Sequence, residues 1–260
     1  PFPCFERMKQ MTKLIVGGIG GHMGGAVAAL AREYGFEVTA GFDIKIQSSA
    51  FPVYDDPLSC YEKADVIIDF SSTDALDGIL GYALRTNTPA VLAVTGYSPE
   101  QRARIEQAAK SLPIFESANM SLGINLLLSI VKKCAEVLQE DFDIEIIEKH
   151  HNRKLDAPSG TALMLAQSIS EAMPEAPAYV YGRTPETGRR NKKEIGIHAV
   201  RGGNIIGEHE ILFAGANETL SLTHTVASRE VFAVGALKAA RYLLGRENGL
   251  YDMNDLVNKA

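Results

Sequence analysis

Lys13-Leu14-Ile15-Val16-Gly17-Gly18-Ile19-Gly20-Gly21-His22-Met23-Gly24 is the stretch that decides how the first half of the chain folds. Its first five residues read as a buried β-strand. The apolar positions after it, Met23, Val27, Leu30 and Tyr34, recur at helical spacing. A strand, a glycine-rich turn and a helix, in that order, form the context of a dinucleotide-binding fingerprint. Glycine permits the tight turn and lets backbone amides approach a pyrophosphate, which the positive end of the helix dipole also favours. The spacing is best written G-x-x-G-x-x-G, on Gly18, Gly21 and Gly24. The alternative register, G-x-G-x-x-G, places Met23 where glycine or alanine is usual.

Outward from this turn, residues 36–42 read as a second strand ending at Asp43. That is about twenty residues past the fingerprint, where an acidic side chain commonly binds the adenosine ribose. Lys45 is close enough to meet a 2′-phosphate, so NADH and NADPH both stay open. Residues 65–70 form a third strand, and Ser71, Ser72 and Thr73 offer caps for a helix over 74–84. A strand at 90–94 runs into Thr95-Gly96, Pro99 opens another helix, and a strand at 114–116 leads to Ser117-Ala118-Asn119-Met120. Alternating strands and helices predict a Rossmann-like α/β fold with a doubly wound parallel sheet. Ligands of such sheets sit at the carboxyl ends of the strands, which nominates Phe70, Ser71, Ala93, Thr95, Ser117 and Asn119 as cofactor neighbours.

The pattern then changes. A long apolar helix covers 122–138 and a strand 143–148. The polar loop His150-His151-Asn152-Arg153-Lys154-Leu155-Asp156-Ala157-Pro158-Ser159-Gly160-Thr161 follows. The next helix has apolar positions at Ala162, Leu165, Ala166 and Ile169. Pro158 presets a turn dihedral and Ser159 is placed to cap the helix. The amides of Gly160 and Thr161 would then form an anion cradle, and the cations beside it suit a small molecule carrying carboxylates. Residues 171–193 read as a mobile loop whose basic cluster, Arg183, Arg189, Arg190, Lys192 and Lys193, is expected to be solvated. Strands at 195–201, 204–213 and 219–225 have no helices between them, which predicts an antiparallel or mixed sheet in a second, α+β domain with a face for oligomer contacts. A last helix, 230–244, is expected to return to the first domain. The expected division is 1–121 with 230–260 for dinucleotide binding, and 122–229 for substrate binding and oligomerisation.

Bulk properties narrow the partners. The chain has 260 residues, 46% of them apolar and 22% charged, with a net charge of -6. That balance is ordinary for a globular protein and argues against nucleic acid, whose binding leaves a basic footprint. Cys4, Cys60 and Cys134 are odd in number and far apart, which predicts neither a disulfide framework nor a metal site and suits a reducing cytoplasm. No apolar run is long enough to span a bilayer. Residues 1–10 fit no element and contain no secretory apolar core, so Met8 or Met11 is expected as the native start.

Taken together, Gly18 to Gly24, Ser117-Ala118-Asn119-Met120-Ser121, Glu148-Lys149-His150-His151 through Thr161, Arg201-Gly202-Gly203 and Gly207-Glu208-His209 resemble the 4-hydroxy-tetrahydrodipicolinate reductase (dihydrodipicolinate reductase) family. The resemblance runs in order from Lys13 to near the C-terminus, and E-x-x-H-H-x-x-K-x-D-x-P-S-G-T is its most specific part. It implies NAD(P)H-dependent reduction of a cyclic dicarboxylate in lysine biosynthesis by a homotetramer joined through its C-terminal sheets. By motif it places Gly18, Ile19, Gly20, Gly21, His22 and Met23 at the pyrophosphate and Asp43, with Lys45, at the ribose. Ala93, Val94, Thr95, Ser117, Ala118, Asn119 and Met120 would border the nicotinamide, beside Phe70 and Ser71. His150 and Lys154 would be the acid–base pair, with Lys154 the proton donor. His151, Ser159, Gly160 and Thr161 would face the substrate. Two departures bear on cofactor preference: Ala93-Val94-Thr95-Gly96 stands where many members have Gly-Thr-Thr-Gly, and Met120 where many have Phe. Two other readings share the same plan: an amino-acid or aspartate-type dehydrogenase, and a non-enzymatic nucleotide sensor.

Overall fold

The computed structural model describes residues 11–45 and 49–258. The expectations for residues 1–10, Cys4 and Met8 among them, lie outside the described residues. In chain order the elements are β1 (Thr12–Gly17), α1 (His22–Ala31), β2 (Phe36–Phe42), β3 (Val53–Tyr54), β4 (Val66–Asp69), α2 (Leu76–Thr86), β5 (Ala90–Leu92), α3 (Pro99–Ala109), β6 (Pro113–Glu116) and α4 (Leu122–Leu138). They continue with β7 (Asp143–His150), α5 (Gly160–Ser170), β8 (Ala178–Tyr181), β9 (Glu194–Arg201), β10 (Gly207–Ala214), β11 (Thr219–Val226), α6 (Glu230–Leu243), β12 (Gly249–Tyr251) and α7 (Met253–Asn258). The chain divides into two compact units. Ser121–Arg229 form one; the segment ending at Met120 and the segment opening at Glu230 form the other.

The first unit is a seven-stranded sheet in the order β12-β6-β5-β4-β1-β2-β3, parallel throughout. Its strand order reverses at β1, which makes a switch point between β1 and β4. Leu14, Ile15, Val16, Val66, Ile67 and Ile68 are fully buried, as continuous apolar runs must be when both faces of a parallel sheet are covered. Helix α1 departs from the expected stripe. Its buried residues are Gly24, Val27 and Ala31, and Tyr34 lies beyond its end. The reason is close approach: a Cβ on Gly24 would sit 2.1 Å from the Gly18 carbonyl oxygen, so only the smallest residue fits there. Helix α3 starts as expected, with Pro99 in its first turn and a Ser98–Gln101 capping box. The entry to α2 differs: Ser72 makes no side-chain cap, and a single 3-10 turn at Thr73–Ala75 leads into the helix. β3 and β12 have two and three residues, too short to carry a periodic signal, yet β12 completes the sheet beside β6.

The second unit is a five-stranded mixed sheet in the order β11-β10-β7-β9-β8. β9 runs parallel to both its neighbours, whereas β10 is antiparallel to both of its own. Ile144, Ile146, Ile195, Ile197, Ile211 and Phe213 pack against Leu127, Val131 and Ala135 of α4 and Ala162, Leu165, Ala166 and Ile169 of α5. Burial alternates strictly along β7, so Ile144, Ile146, Glu148 and His150 share this inner face.

The segment expected to be a mobile loop with solvated cations is ordered around carboxylates. It contains β8, and Arg183 donates to Glu145 and Glu194 while Arg190 bridges Asp143 and Glu145. Asp143 and Glu145 lie on the outer side of β7 and Glu194 opens β9, and the two guanidiniums pair with them; a count of basic residues in sequence cannot show that pairing. Among the described residues Cys60 and Cys134 are free, no helix is long and apolar enough to cross a membrane, and no cluster of His, Cys, Asp and Glu is arranged to hold a metal ion.

Candidate active site

In the first unit, the turn after β1 is shaped by its glycines. Gly18 has φ +70°, and a Cβ there would meet the Phe70 carbonyl oxygen at 2.7 Å. Gly21 donates its amide to Gly18 O at 2.9 Å and stands as the N-cap of α1. Asp43, just past β2, accepts the Gly20 amide at 2.8 Å on Oδ2 and the Lys45 amide at 2.9 Å on Oδ1. Ile19 packs over Gly41, where an added Cβ would come within 2.7 Å of its side chain. His22 and Met23 open α1, in its first turn.

A cavity of about 220 Å³ lies against this turn. Five expected residues line it: Gly18, Gly21, Asp43, Phe70 and Ser71. Phe42, Ile44, Asp55, Pro57, Ser72 and Ala75 complete the wall; among these, Ser72 was expected as a cap, and Ile44 stands directly after the ribose acid. An apolar pocket with one acid at the end of β2 and a glycine turn at a helix N-terminus fits the adenosine end of a dinucleotide. Ala93, Val94 and Thr95 follow β5, and Ser117 to Met120 follow β6; none of them lines that cavity. The Ser117 hydroxyl both donates to Asn119 O and accepts from the Asn119 amide, shaping its own loop. Met120 is 2% exposed, and its carbonyl occupies the space a side chain on Gly235 would need.

Asp69, the last residue of β4, attracted no sequence-based role. It is fully buried; its Oδ1 accepts the Ser71 amide at 3.0 Å, and its Oδ2 has no hydrogen-bond partner among the described residues. Burial pushes its pKa up to about 6 against the opposing pull of Ser71.

In the second unit, His150 is the last residue of β7 rather than a loop residue. Its Nδ1 lies 2.5 Å from Oε2 of Glu148, which is fully buried two residues earlier on the same face. Arg201, at the end of β9, donates to both oxygens of Glu148, at 2.8 and 2.7 Å, and the Ser159 amide donates to Oε1 at 3.0 Å. Burial works to raise the Glu148 pKa, but Arg201, His150 and the Ser159 amide outweigh it and hold the carboxyl below the usual range. The loop after β7 is tied to the turn after β9: Gly202 N donates to His150 O, and Asn152 N to Gly203 O.

Ser159 caps α5, its hydroxyl accepting the Ala162 amide at 3.1 Å and lying 2.9 Å from His209 Nε2. It is 1% exposed, and its hydroxyl is engaged by the helix start and by His209. Gly160 opens α5, and a Cβ built on it would meet nothing within 4 Å. Thr161 is the second residue of that helix. Lys154 Nζ pairs with Asp156 Oδ1 at 2.8 Å, with 23% of the lysine side chain exposed. His151 Nε2 lies 3.4 Å from Arg229. Desolvation and the neighbouring cations Arg153 and Arg229 hold the His151 pKa below its ordinary value. Four groups here had no role assigned from sequence: Glu148, Arg201, His209 and Arg229. The alternation in β7 was the available signal for Glu148; Arg229, 78 residues from His151, offered none.

The chain is matched by the family models described as dihydrodipicolinate reductase, N-terminus, over residues 12–120, and dihydrodipicolinate reductase, C-terminus, over 123–257. It is 54% identical over 250 residues to the 4-hydroxy-tetrahydrodipicolinate reductase of Caldanaerobacter subterraneus subsp. tengcongensis, covering 96% of this chain and 99% of that one. It is 49% identical to the enzyme of the same name from Clostridium novyi, over 95% and 98% of the two chains. Among solved structures it resembles the dipicolinate-bound dihydrodipicolinate reductase from Paenisporosarcina sp. TG-14, with a TM-score of 0.79, 27% identity, and coverage of 94% and 99%. An aspartate dehydrogenase from Thermotoga maritima, at 14% identity and a TM-score of 0.50 over 91% and 98%, shares the fold alone.

Proposed function

The chain belongs to the dihydrodipicolinate reductase family, and from that premise we propose that it uses either NADH or NADPH, held on the first unit, to reduce a dicarboxylate held on the second. It is an oxidoreductase of lysine (diaminopimelate) biosynthesis, reducing 4-hydroxy-tetrahydrodipicolinate to tetrahydrodipicolinate. Family membership decides against the amino-acid dehydrogenase and sensor readings. One observation carries the residue-level proposal: Glu148 joins His150 to the Ser159 amide at the start of α5, while on the loop between them Lys154 pairs with Asp156 and His151 lies 3.4 Å from Arg229.

The nucleotide supplies a hydride. Gly18 to Met23 hold its pyrophosphate at the N-terminus of α1, and Asp43 takes the ribose hydroxyls. Asp43 favours NADH, while the exposed Lys45 beside it tolerates a 2′-phosphate, which supports use of both. Ala93 to Thr95 and Ser117 to Met120, at the carboxyl ends of β5 and β6, border the nicotinamide.

On the second unit, the amides of Gly160 and Thr161 receive one substrate carboxylate at the positive end of α5. His151 and Arg229 receive the other. Reduction leaves negative charge on the ring, and the ammonium of Lys154 returns a proton from Nζ while Nε2 of His150 exchanges protons beside it. The ring hydroxyl and a proton from the adjacent carbon leave together as water, forming the conjugated ring that accepts the hydride; the hydride and the proton from Lys154 then balance the net reduction.

The helices α4 and α5 cover the same face of the second sheet, and the outer face carries Val200, which is 44% exposed. This supports a homotetramer joined through these sheets, and the free Cys60 and Cys134 suit a reducing cytoplasm. The test is a coupled assay in which the upstream synthase supplies its product and oxidation of NADH and of NADPH is followed separately. Oxidation with both is expected. Oxidation with one alone removes the dual-nucleotide reading, and with neither removes the residue assignments as well. Light scattering after gel filtration tests the tetramer.

A further inference from the structure

We propose that Glu148 is a positioning residue for this reaction: it holds His150 with a hydrogen on Nδ1, leaving Nε2 as the nitrogen that exchanges protons with the ligand. This rests on the reading that His150 is one of the acid–base pair. The geometry over-determines the carboxylate. Glu148 is fully buried, and its two oxygens receive four donors: Nδ1 of His150 at 2.5 Å, two nitrogens of Arg201 at 2.8 and 2.7 Å, and the Ser159 amide at 3.0 Å. An ionised carboxylate can only accept, so Nδ1 of His150 must carry the hydrogen. A buried carboxylate on the far nitrogen of an imidazole sets both its tautomer and its orientation.

Each partner of Glu148 comes from a different element, so the carboxylate also ties the site together. His150 lies on β7, Arg201 on β9, and Ser159 begins α5. The same Arg201 donates to Asp156 O at 2.7 Å, which holds the loop that carries Lys154. Gly207 on β10 leaves room for the ring: a Cβ there would come within 3.2 Å of His150 Nε2. His209, also on β10, stacks edge-on at 5.2 Å between ring centroids without competing for the carboxylate. The charged and titratable groups facing this imidazole are Glu148, Arg201 and His209 on the strands, and His151 and Lys154 on the loop. Among them only Glu148 is negative and touches the ring.

Substitution Glu148→Gln keeps the size and removes the charge. The expected result is a kcat lower by about tenfold or more, a nearly unchanged substrate KM, and a displacement to lower pH of the kcat limb that His150→Asn abolishes. A purely architectural glutamate would lower stability and leave that limb in place. A folded Glu148→Gln enzyme with the wild-type limb overturns the proposal. Should that variant not fold, nitrogen-15 NMR of the imidazoles in the wild-type holoenzyme decides: a neutral His150 bearing its hydrogen on Nδ1 is expected, and one bearing it on Nε2 overturns the proposal. His150→Asn separates the two ideas, because full turnover in that variant removes the acid–base reading while the tautomer result stands by itself.

Discussion

Nε2 of His209 lies 2.9 Å from the Ser159 hydroxyl, the same oxygen that accepts the Ala162 amide and starts α5. The imidazole is 4% exposed, and its Nδ1 has no hydrogen-bond partner among the described residues. Burial, with His150 nearby, depresses its pKa to about 4. A base with a depressed pKa in the fold is protonated first in the unfolded chain, so its stabilising effect is complete above about pH 6.5 and is lost as pH falls from there towards 4. The loss amounts to about 3 kcal/mol. His209→Gln is expected to flatten the fall of Tm between pH 6.5 and 4, measured by scanning calorimetry; an unchanged slope would remove His209 as the titrating group.

Asp69 works in the opposite direction at the other unit. Its carboxyl is fully buried, and its pKa is raised from 3.8 to about 6. An acid with a raised pKa in the fold contributes fully below its unfolded value and loses that contribution as pH rises through 6, at a cost of about 3 kcal/mol. Asp69→Asn keeps an acceptor for the Ser71 amide and carries no charge. Its Tm relative to wild type is expected to rise between pH 5 and 7.5. A difference that does not change over that range would show that the carboxyl is not the source.

Gly160→Ala tests the helix start without testing the fold. The added methyl meets nothing within 4 Å, and alanine is the better helix former by about 1 kcal/mol. Thermal stability is expected to hold or improve, while the substrate KM rises by about tenfold because the methyl stands where a carboxylate approaches. An unchanged KM would count against the proposed cradle.

Lys154→Ala and His150→Ala are each expected to lower kcat by about two decades or more, the scale of general acid–base catalysis. Lys154 is paired with Asp156 alone among the described residues, and His150 sits at a strand end, so circular dichroism should confirm that both variants fold. Near-wild-type turnover in both would reassign the chemistry.

Much of the first unit was legible because its signals are local. The apolar run of β1, the spacing of Gly18, Gly21 and Gly24, and Asp43 at the end of β2 each speak within a few turns of chain. Helix α4 could be placed, and Ser159 read as a cap for α5, for the same reason. The misreadings were of another kind. The buried stripe of α1 narrowed to Gly24, Val27 and Ala31 because the helix must press on Gly18, and Arg183 and Arg190 turned from solvated charges into partners of Asp143 and Glu145.

The sequence by itself determined the glycine turn, the alternation of strand and helix, and the residues of the polar loop that leads into α5, since periodicity and turn chemistry act between near neighbours. Tertiary structure alone decided what surrounds His150. Arg201 reaches Glu148 from 53 residues away, and His209 reaches Ser159 from 50. Those meetings depend on the register of β7 against β9 and β10, and a slip of β7 by one residue would turn Glu148 and His150 to the other face of the sheet.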